Sequence, residues 1–166
     1  DHHHADGRKH DQDRILEPRS MRMGKHLIGW GMCSAMWDAM MMPARAHARL
    51  TSQGKLIVSS ATSDIGTGTY TVMTQIAAET LGMDIADVTF NLGDSKFPFA
   101  PYEGGSATAA SVGTAVLNVC LKLKKRLFEL ASGLEGSPLR KTSFDEVEFS
   151  EGYIRILKQP EKALPV

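Results

Sequence analysis

The sequence predicts an α+β fold, a mixed β-sheet with hairpins covered by two principal helices near residues 69–82 and 106–132. Two observations carry this class. Apolar residues alternate with period two in several short runs and recur at spacings of three and four in two longer ones. The two kinds of run intermix without a regular βαβ repeat, which favours a mixed sheet over a doubly wound one. With 166 residues, of which 42% are hydrophobic and 23% charged, the chain has enough apolar material for one core.

Residues 1–25 are polar, carry both charge signs and show no period, so they read as a tail or linker ahead of a single α+β domain over 26–166. Residues 1–20 are expected to have no compact core of their own, because their composition cannot offset the entropy of ordering them. Four of the six histidines fall within the first ten residues. That tract reads as a metal-binding stretch, a tag remnant or an interdomain linker.

From Ile28, the alternation of Ile28, Trp30, Met32, Ser34 and Met36 predicts a strand, and the apolar stretch Met32–Ala44 predicts core. Met40-Met41-Met42 suits packing or an adaptable interface. Ala44, Ala46, Ala48 and Leu50 then alternate with Arg45, His47 and Arg49 as in a half-buried strand. Thr51-Ser52-Gln53-Gly54 is turn chemistry, and Leu56 and Val58 resume the alternation, so this is a hairpin. Val72, Met73, Ile76, Ala77, Thr80 and Leu81 form a helical stripe, with Thr69 as its cap and Gly82 as its stop. Val88, Phe90 and Leu92 give a short strand. The longest helical stripe follows, through Ala109, Val112, Val116, Val119, Leu123, Leu127 and Leu130 to Ser132-Gly133. Its first half is uncharged and reads as packed against protein, while Lys122 to Arg126 face solvent. Val147-Glu148-Phe149 and Tyr153–Ile156 flank a turn and make a second hairpin.

Nineteen basic residues balance nineteen acidic ones. A neutral chain is a poor nucleic-acid binder, which needs an excess of cations. No run of 18 uncharged apolar residues exists to span a membrane. Cys33 and Cys120 are too few and too far apart for a disulfide scaffold or a tetracysteine metal site, and Cys120 reads as a buried free thiol. His26 and His47 lack metal-ligand spacing.

Chemistry is concentrated in two glycine turns that precede the two helices, Asp64-Ile65-Gly66-Thr67-Gly68-Thr69-Tyr70 and Gly104-Gly105-Ser106-Ala107-Thr108-Ala109-Ala110-Ser111. Glycines admit a ligand close to the backbone, and the free amides of a helix start favour an anion such as phosphate. The first turn is neither a Walker loop nor a dinucleotide fingerprint. Glu103, just before the second turn, reads as a solvated loop carboxylate. Taken alone, the residues leave three readings open: part of a cofactor cradle, a phosphate-binding or interaction module, or a structural fragment without ligand.

Taken in order, Gly29-Trp30-Gly31-Met32, Pro43-Ala44-Arg45-Ala46, Asp64–Thr71, Leu92-Gly93-Asp94-Ser95 with Pro98, and Gly104-Gly105-Ser106-Ala107-Thr108 resemble the molybdenum-binding subunit of the xanthine dehydrogenase and aldehyde oxidase family. The likeness runs from Arg19 to Phe128 and more loosely to the end, and leans toward the branch with separate molybdenum, flavin and iron–sulfur subunits. It implies a cofactor, molybdopterin in its plain or cytosine dinucleotide form, contacted by Gly66, Thr67 and Gly68. Thr108, Ala109 and Ala110 would offer backbone groups to its phosphates, with both turns facing one cavity. It implies as partners the rest of the molybdenum subunit together with iron–sulfur and FAD subunits, and neither nucleic acid nor membrane. The implied reaction is hydroxylation of an aldehyde or N-heterocycle with oxygen from water. Thr67 stands where the xanthine dehydrogenase branch often has glutamine, and Tyr102-Glu103 departs from the small residues common before the glycine pair. The family's catalytic glutamate lies in a Gly-Glu motif near the far C-terminus of a much longer subunit. No counterpart occurs here, so the chain is expected to be a segment of that subunit, inactive and without cofactor on its own.

Overall fold

The structure is a computed structural model that describes residues 17–29 and 33–166. Most of the polar tail, the histidine tract, and Trp30, Gly31 and Met32 of the first family-like motif lie outside the described residues. The described residues up to Trp37 form one unit and Asp38–Val166 another. In the first, β1 (Arg22–Met23) pairs antiparallel with β2 (His26–Leu27), and the Ile28 N–H donates to the Met21 carbonyl at 2.9 Å. The strand expected over Ile28–Met36 is absent from its described part: Ile28, Gly29 and Cys33–Met36 have no sheet partner.

Nor is Met32–Ala44 core in its described part. Met36 is 92% exposed, Trp37 76% and Met41 70%. Apolar composition expresses a preference for burial but does not supply the surface that would satisfy it.

In the second unit, β3 (His47–Leu50) and β4 (Leu56–Ser59) form the expected hairpin, in the register His47↔Ser59 to Leu50↔Leu56. Its turn closes on Thr51, whose carbonyl accepts from Gly54 and whose hydroxyl accepts from the Lys55 N–H. The chain then rises through α1 (Thr69–Leu81) and returns along β5 (Val88–Asn91), which lies parallel to β4. The sheet is therefore mixed, with strand order β3-β4-β5. Leu56, Val58, Val88 and Phe90 send their side chains to one buried face, and Met73, Ala77 and Leu81 of α1 join them in the core.

Helix α1 begins and ends on left-handed glycines. Gly68 (φ 80°) precedes Thr69, so glycine rather than Thr69 caps the helix. Thr69 is instead the first helical residue and is buried. At the other end Gly82 (φ 61°) ends the helix as the sequence predicts. Its N–H donates to the Glu79 carbonyl, and that of Met83 reaches back to Ala78 at 3.0 Å, which satisfies carbonyls the helix leaves open.

The long helix α2 (Ala107–Gly133) packs along α1, with Val112, Val116 and Cys120 fully buried. Its buried face is rotated from the predicted stripe. Ala109 and Leu130 are exposed, while Ser111, Gly113 and Phe128 are buried. Gly113 lets the helices approach, since a Cβ there would sit 3.0 Å from Ile76 Cδ1. Lys124 is not fully exposed as expected. Its ammonium lies 4.9 Å from the centre of the Phe149 ring.

The second hairpin is present as β6 (Val147–Ser150) and β7 (Tyr153–Ile156), turning at Glu151 (φ 52°) and Gly152 (φ 75°). It forms a separate antiparallel sheet, joined by β8 (Gln159–Pro165), which the sequence reading did not predict. Phe149 and Ile154 are its buried residues, and Phe128 of α2 meets Phe144 edge-on at 5.6 Å.

Candidate functional site

The loop from β4 to α1 folds around one carboxylate. Asp64 lies two residues ahead of Gly66, the spacing of an Asx turn. Its Oδ1 accepts from the N–H of Gly66 at 2.8 Å and of Gly68 at 3.3 Å, and its Oδ2 from that of Tyr70 at 3.5 Å. Gly66 (φ 100°) and Gly68 (φ 80°) supply backbone conformations that side chains rarely adopt, which aims these amides at one point. The Gly66 N–H above all, with those of Tyr70 and Gly68, holds the Asp64 carboxyl below the usual aspartate range.

A second carboxylate arrives from the loop ahead of α2. Glu103 accepts hydrogen bonds from the hydroxyls of Ser63, of Thr67 at 3.4 Å and of Thr69 at 3.3 Å. The expected solvated side chain is therefore a fixed member of the site. Two negative groups already attend the start of α1, so the expectation of an uncharged helix start does not hold there.

It does hold for α2. Gly105 (φ 57°) and Ser106 (φ 58°) are both left-handed, a conformation costing a non-glycine residue about 1 kcal/mol. Ser106 precedes the helix without a side-chain capping bond. The Ala107 N–H donates to the Gly104 carbonyl, but among the described residues nothing accepts from those of Thr108 and Ala109. The start is braced from outside the helix. The Met42 N–H donates to the Ser111 hydroxyl at 2.9 Å, and the Met40 methyl lies where a Cβ on Gly105 would fall.

The two helix starts share a cleft of about 340 Å3. Thr67, Thr69 and Glu103 line one side, Gly105, Ser106, Thr108 and Ala109 the other, and Ile65, Val72 and Met73 contribute apolar surface. Of the six residues singled out in the sequence, Thr67, Thr108 and Ala109 line this cleft. Gly66 and Gly68 shape the turn beneath Thr67, and Ala110 follows the lining residues along α2. Sequence reasoning missed the roles of Asp64 and Glu103. The Asp-x-Gly spacing could have revealed the first, but nothing local announces that Glu103 meets residues 34 to 40 positions away.

An uncapped helix start beside a cleft, with open amides and no charged side chain of its own, is chemistry suited to an anion. The family model described as the molybdopterin cofactor-binding domain matches residues 6–163. The chain belongs to that family.

Within the molybdopterin-binding family, the chain is 31% identical over 143 residues to the aldehyde oxidoreductase molybdenum-binding subunit PaoC of Escherichia coli K12, an alignment covering 86% of this chain and 18% of PaoC. It is also 31% identical over 122 residues to xanthine dehydrogenase of Emericella nidulans, covering 68% of this chain and 9% of that protein. Among solved structures, quinoline 2-oxidoreductase from Pseudomonas putida 86 superposes with a TM-score of 0.65 at 24% identity, over 72% of this chain and 15% of the other. Reconstituted CO dehydrogenase from Oligotropha carboxidovorans gives 0.62 at 22% identity, over 75% and 15%. At these identities the structural likeness speaks for the fold. The chain spans less than a fifth of the length of each of these relatives. Among the described residues, no cluster of three His, Cys, Asp or Glu could hold a metal ion, and no helix is long and apolar enough to cross a membrane.

Proposed function

We propose that this chain supplies part of the molybdopterin cradle of a molybdenum hydroxylase, with the α2 start taking the anionic end of the cofactor. The observation that carries the reading is the pair of unpaired amides at Thr108 and Ala109, held beside the cleft by a helix without a side-chain cap. Those amides and the dipole of α2 would bind phosphate oxygens without a lysine or arginine. Thr67 and Thr69 would border the other side of the bound group. Gly66 and Gly68 keep the approach clear, since a Cβ on either meets no protein atom within 4 Å.

When bound, molybdopterin supplies the redox centre at which an aldehyde or N-heterocycle is hydroxylated with oxygen from water. The role of this chain is to bind and orient the cofactor. A carboxylate base and the remaining cofactor contacts belong to the rest of the molybdenum subunit, and the electrons pass to iron–sulfur and FAD subunits. The dinucleotide form of the cofactor suits the cleft because its pyrophosphate offers more oxygens to the amides. Alone, the chain is expected to carry no stoichiometric molybdenum and to oxidise no aldehyde.

The test is Gly68→Val in the full-length parent enzyme, reading cofactor content and folding separately, beside Lys125→Ala as a surface control. Loss of cofactor with the fold retained is the expected result. Full cofactor retention would overturn the reading.

A further inference from the structure

We propose that the open edge of β3 takes an added strand of the parent subunit, from outside this chain, in which acidic residues alternate with large apolar ones. None of the β3 residues involved lines the cleft, so this edge is independent of the cofactor reading. The Arg45 N–H donates to the Phe99 carbonyl at 2.8 Å, and the Arg45 carbonyl accepts from the Ser60 hydroxyl at 2.8 Å. At the other end of the strand, the Thr51 N–H donates to the Lys55 carbonyl at 2.9 Å, inside the β3–β4 hairpin. In an antiparallel ladder, successive residues point their main-chain groups to opposite sides. Arg45, His47, Arg49 and Thr51 therefore turn theirs toward β4, and Ala46, Ala48 and Leu50 turn theirs outward. β3 is the outer strand of its sheet, and among the described residues none of these outward groups has a partner. Such an edge is a template for a further strand.

The two faces of the strand specify what fits. Arg45, His47 and Arg49 are exposed on one face, and among the described residues neither arginine pairs with a carboxylate. Their neighbours across the sheet on that face, Ile57, Ser59, Thr89 and Asn91, carry no charge. On the other face Ala44, Ala46, Ala48 and Leu50 are half-buried against the core. Alanines there leave the core short of bulk that a neighbouring strand would supply. An incoming strand thus meets cations on one face and a shallow apolar step on the other, at alternate positions. A second copy of β3 does not fit, because pairing that brings the alanine faces together sets basic side chains against basic ones. This chain spans 18% of PaoC, so a parent of that kind has most of its length available to supply the strand.

The experiment measures amide proton exchange by NMR on the 166-residue chain, alone and with two peptide probes. Both are about seven residues long, one alternating glutamate with leucine and the other lysine with leucine. In the chain alone, the amides of Ala46, Ala48 and Leu50 are expected to exchange about tenfold or more faster than those of His47 and Arg49. The glutamate peptide should slow those three amides by about tenfold or more, and the lysine peptide should leave them unchanged. Arg45→Gln combined with Arg49→Gln removes two exposed charges and should weaken the glutamate peptide by about fivefold or more. No slowing by the glutamate peptide, equal slowing by both peptides, or unchanged affinity in the double variant would overturn the proposal. So would slowing that grows with protein concentration alone, which would mean a second copy. In the full-length parent, exchange read by mass spectrometry should be slower across residues 46–50 than in the 166-residue chain, with no peptide added. Equal exchange in the two would overturn the assignment to the parent's own chain.

Discussion

The carbonyl of Gly82 accepts the backbone N–H of Gly152 at 2.9 Å, which ties the end of α1 to the β6–β7 turn. The contact is closer than any side chain would allow, since a Cβ on Gly82 would lie 1.9 Å from the Phe149 carbonyl oxygen. Gly82→Ala should therefore combine left-handed strain with a backbone clash and cost about 3 kcal/mol or more. Gly54 is also left-handed but has open space around its missing Cβ, so Gly54→Ala should cost about 1 kcal/mol. Urea denaturation of the two variants would show whether the difference has the expected size.

A second tie to the C-terminal sheet runs from α2 through Lys124. Partial burial holds its ammonium below the usual lysine range, yet the face of Phe149 lies beneath it. Lys124→Ala loses both the cation–π contact and the packing of the methylene stem, for about 1 kcal/mol. Lys125→Ala, on an exposed neighbour, should stay within about 0.5 kcal/mol. Equal effects in the same urea series would remove the special status of Lys124.

The two cysteines should behave as different reagents. Cys33 is exposed, and Cys120 is fully buried with its thiol pushed up to about 11 by desolvation. One equivalent of iodoacetamide is expected to label Cys33 in the native chain and leave Cys120 untouched, as peptide mapping would show. The folded pKa of Cys120 is raised, so its contribution to stability is whole below the unfolded value near 9 and is lost as pH climbs from there toward 11. Cys120→Ala should flatten that alkaline decline in thermal melts.

Asp64 gives the opposite slope. Its carboxyl is held low mainly by the Gly66 N–H, so the stabilisation it provides is complete above the unfolded value of 3.8 and disappears as pH falls below it. Asp64→Ala should remove this part of the acid dependence and speed amide exchange at Gly66, Gly68 and Tyr70. Unchanged exchange at those three amides would mean that the carboxylate does not organise the turn.

Both principal helices and both hairpins were legible because their signals are local. Gly82 marks a helix end through its own backbone freedom, and the Ala44–Leu50 alternation shows directly in half-buried and exposed neighbours. Strand β8 escaped because Gln159–Lys162 are exposed and polar at a sheet edge, where no period is imposed. The exposed methionines near residue 40 and the Lys124–Phe149 contact were illegible for a shared reason. Burial and cation–π contact are made by partners distant in sequence. In the site, the two glycine turns were visible, but the asymmetry between them was not. It depends on Asp64 turning back on its own loop and on Glu103 crossing to the threonines, and only the first leaves a trace in residue spacing.

The close approach of the helices at Gly113 has a consequence for how this cleft can change over evolutionary time. Gly113 lies about a turn and a half along α2 from Thr108, against Ile76 of α1. The gap between the two helix starts is governed there as much as by the residues that line it. A methyl group gained at 113 would press on Ile76 and act on the mouth of the cleft as a wedge does near the pivot of a pair of jaws. Ligand grip can then drift while every ligand-facing residue stays the same, and position 113 is where a lineage could retune it.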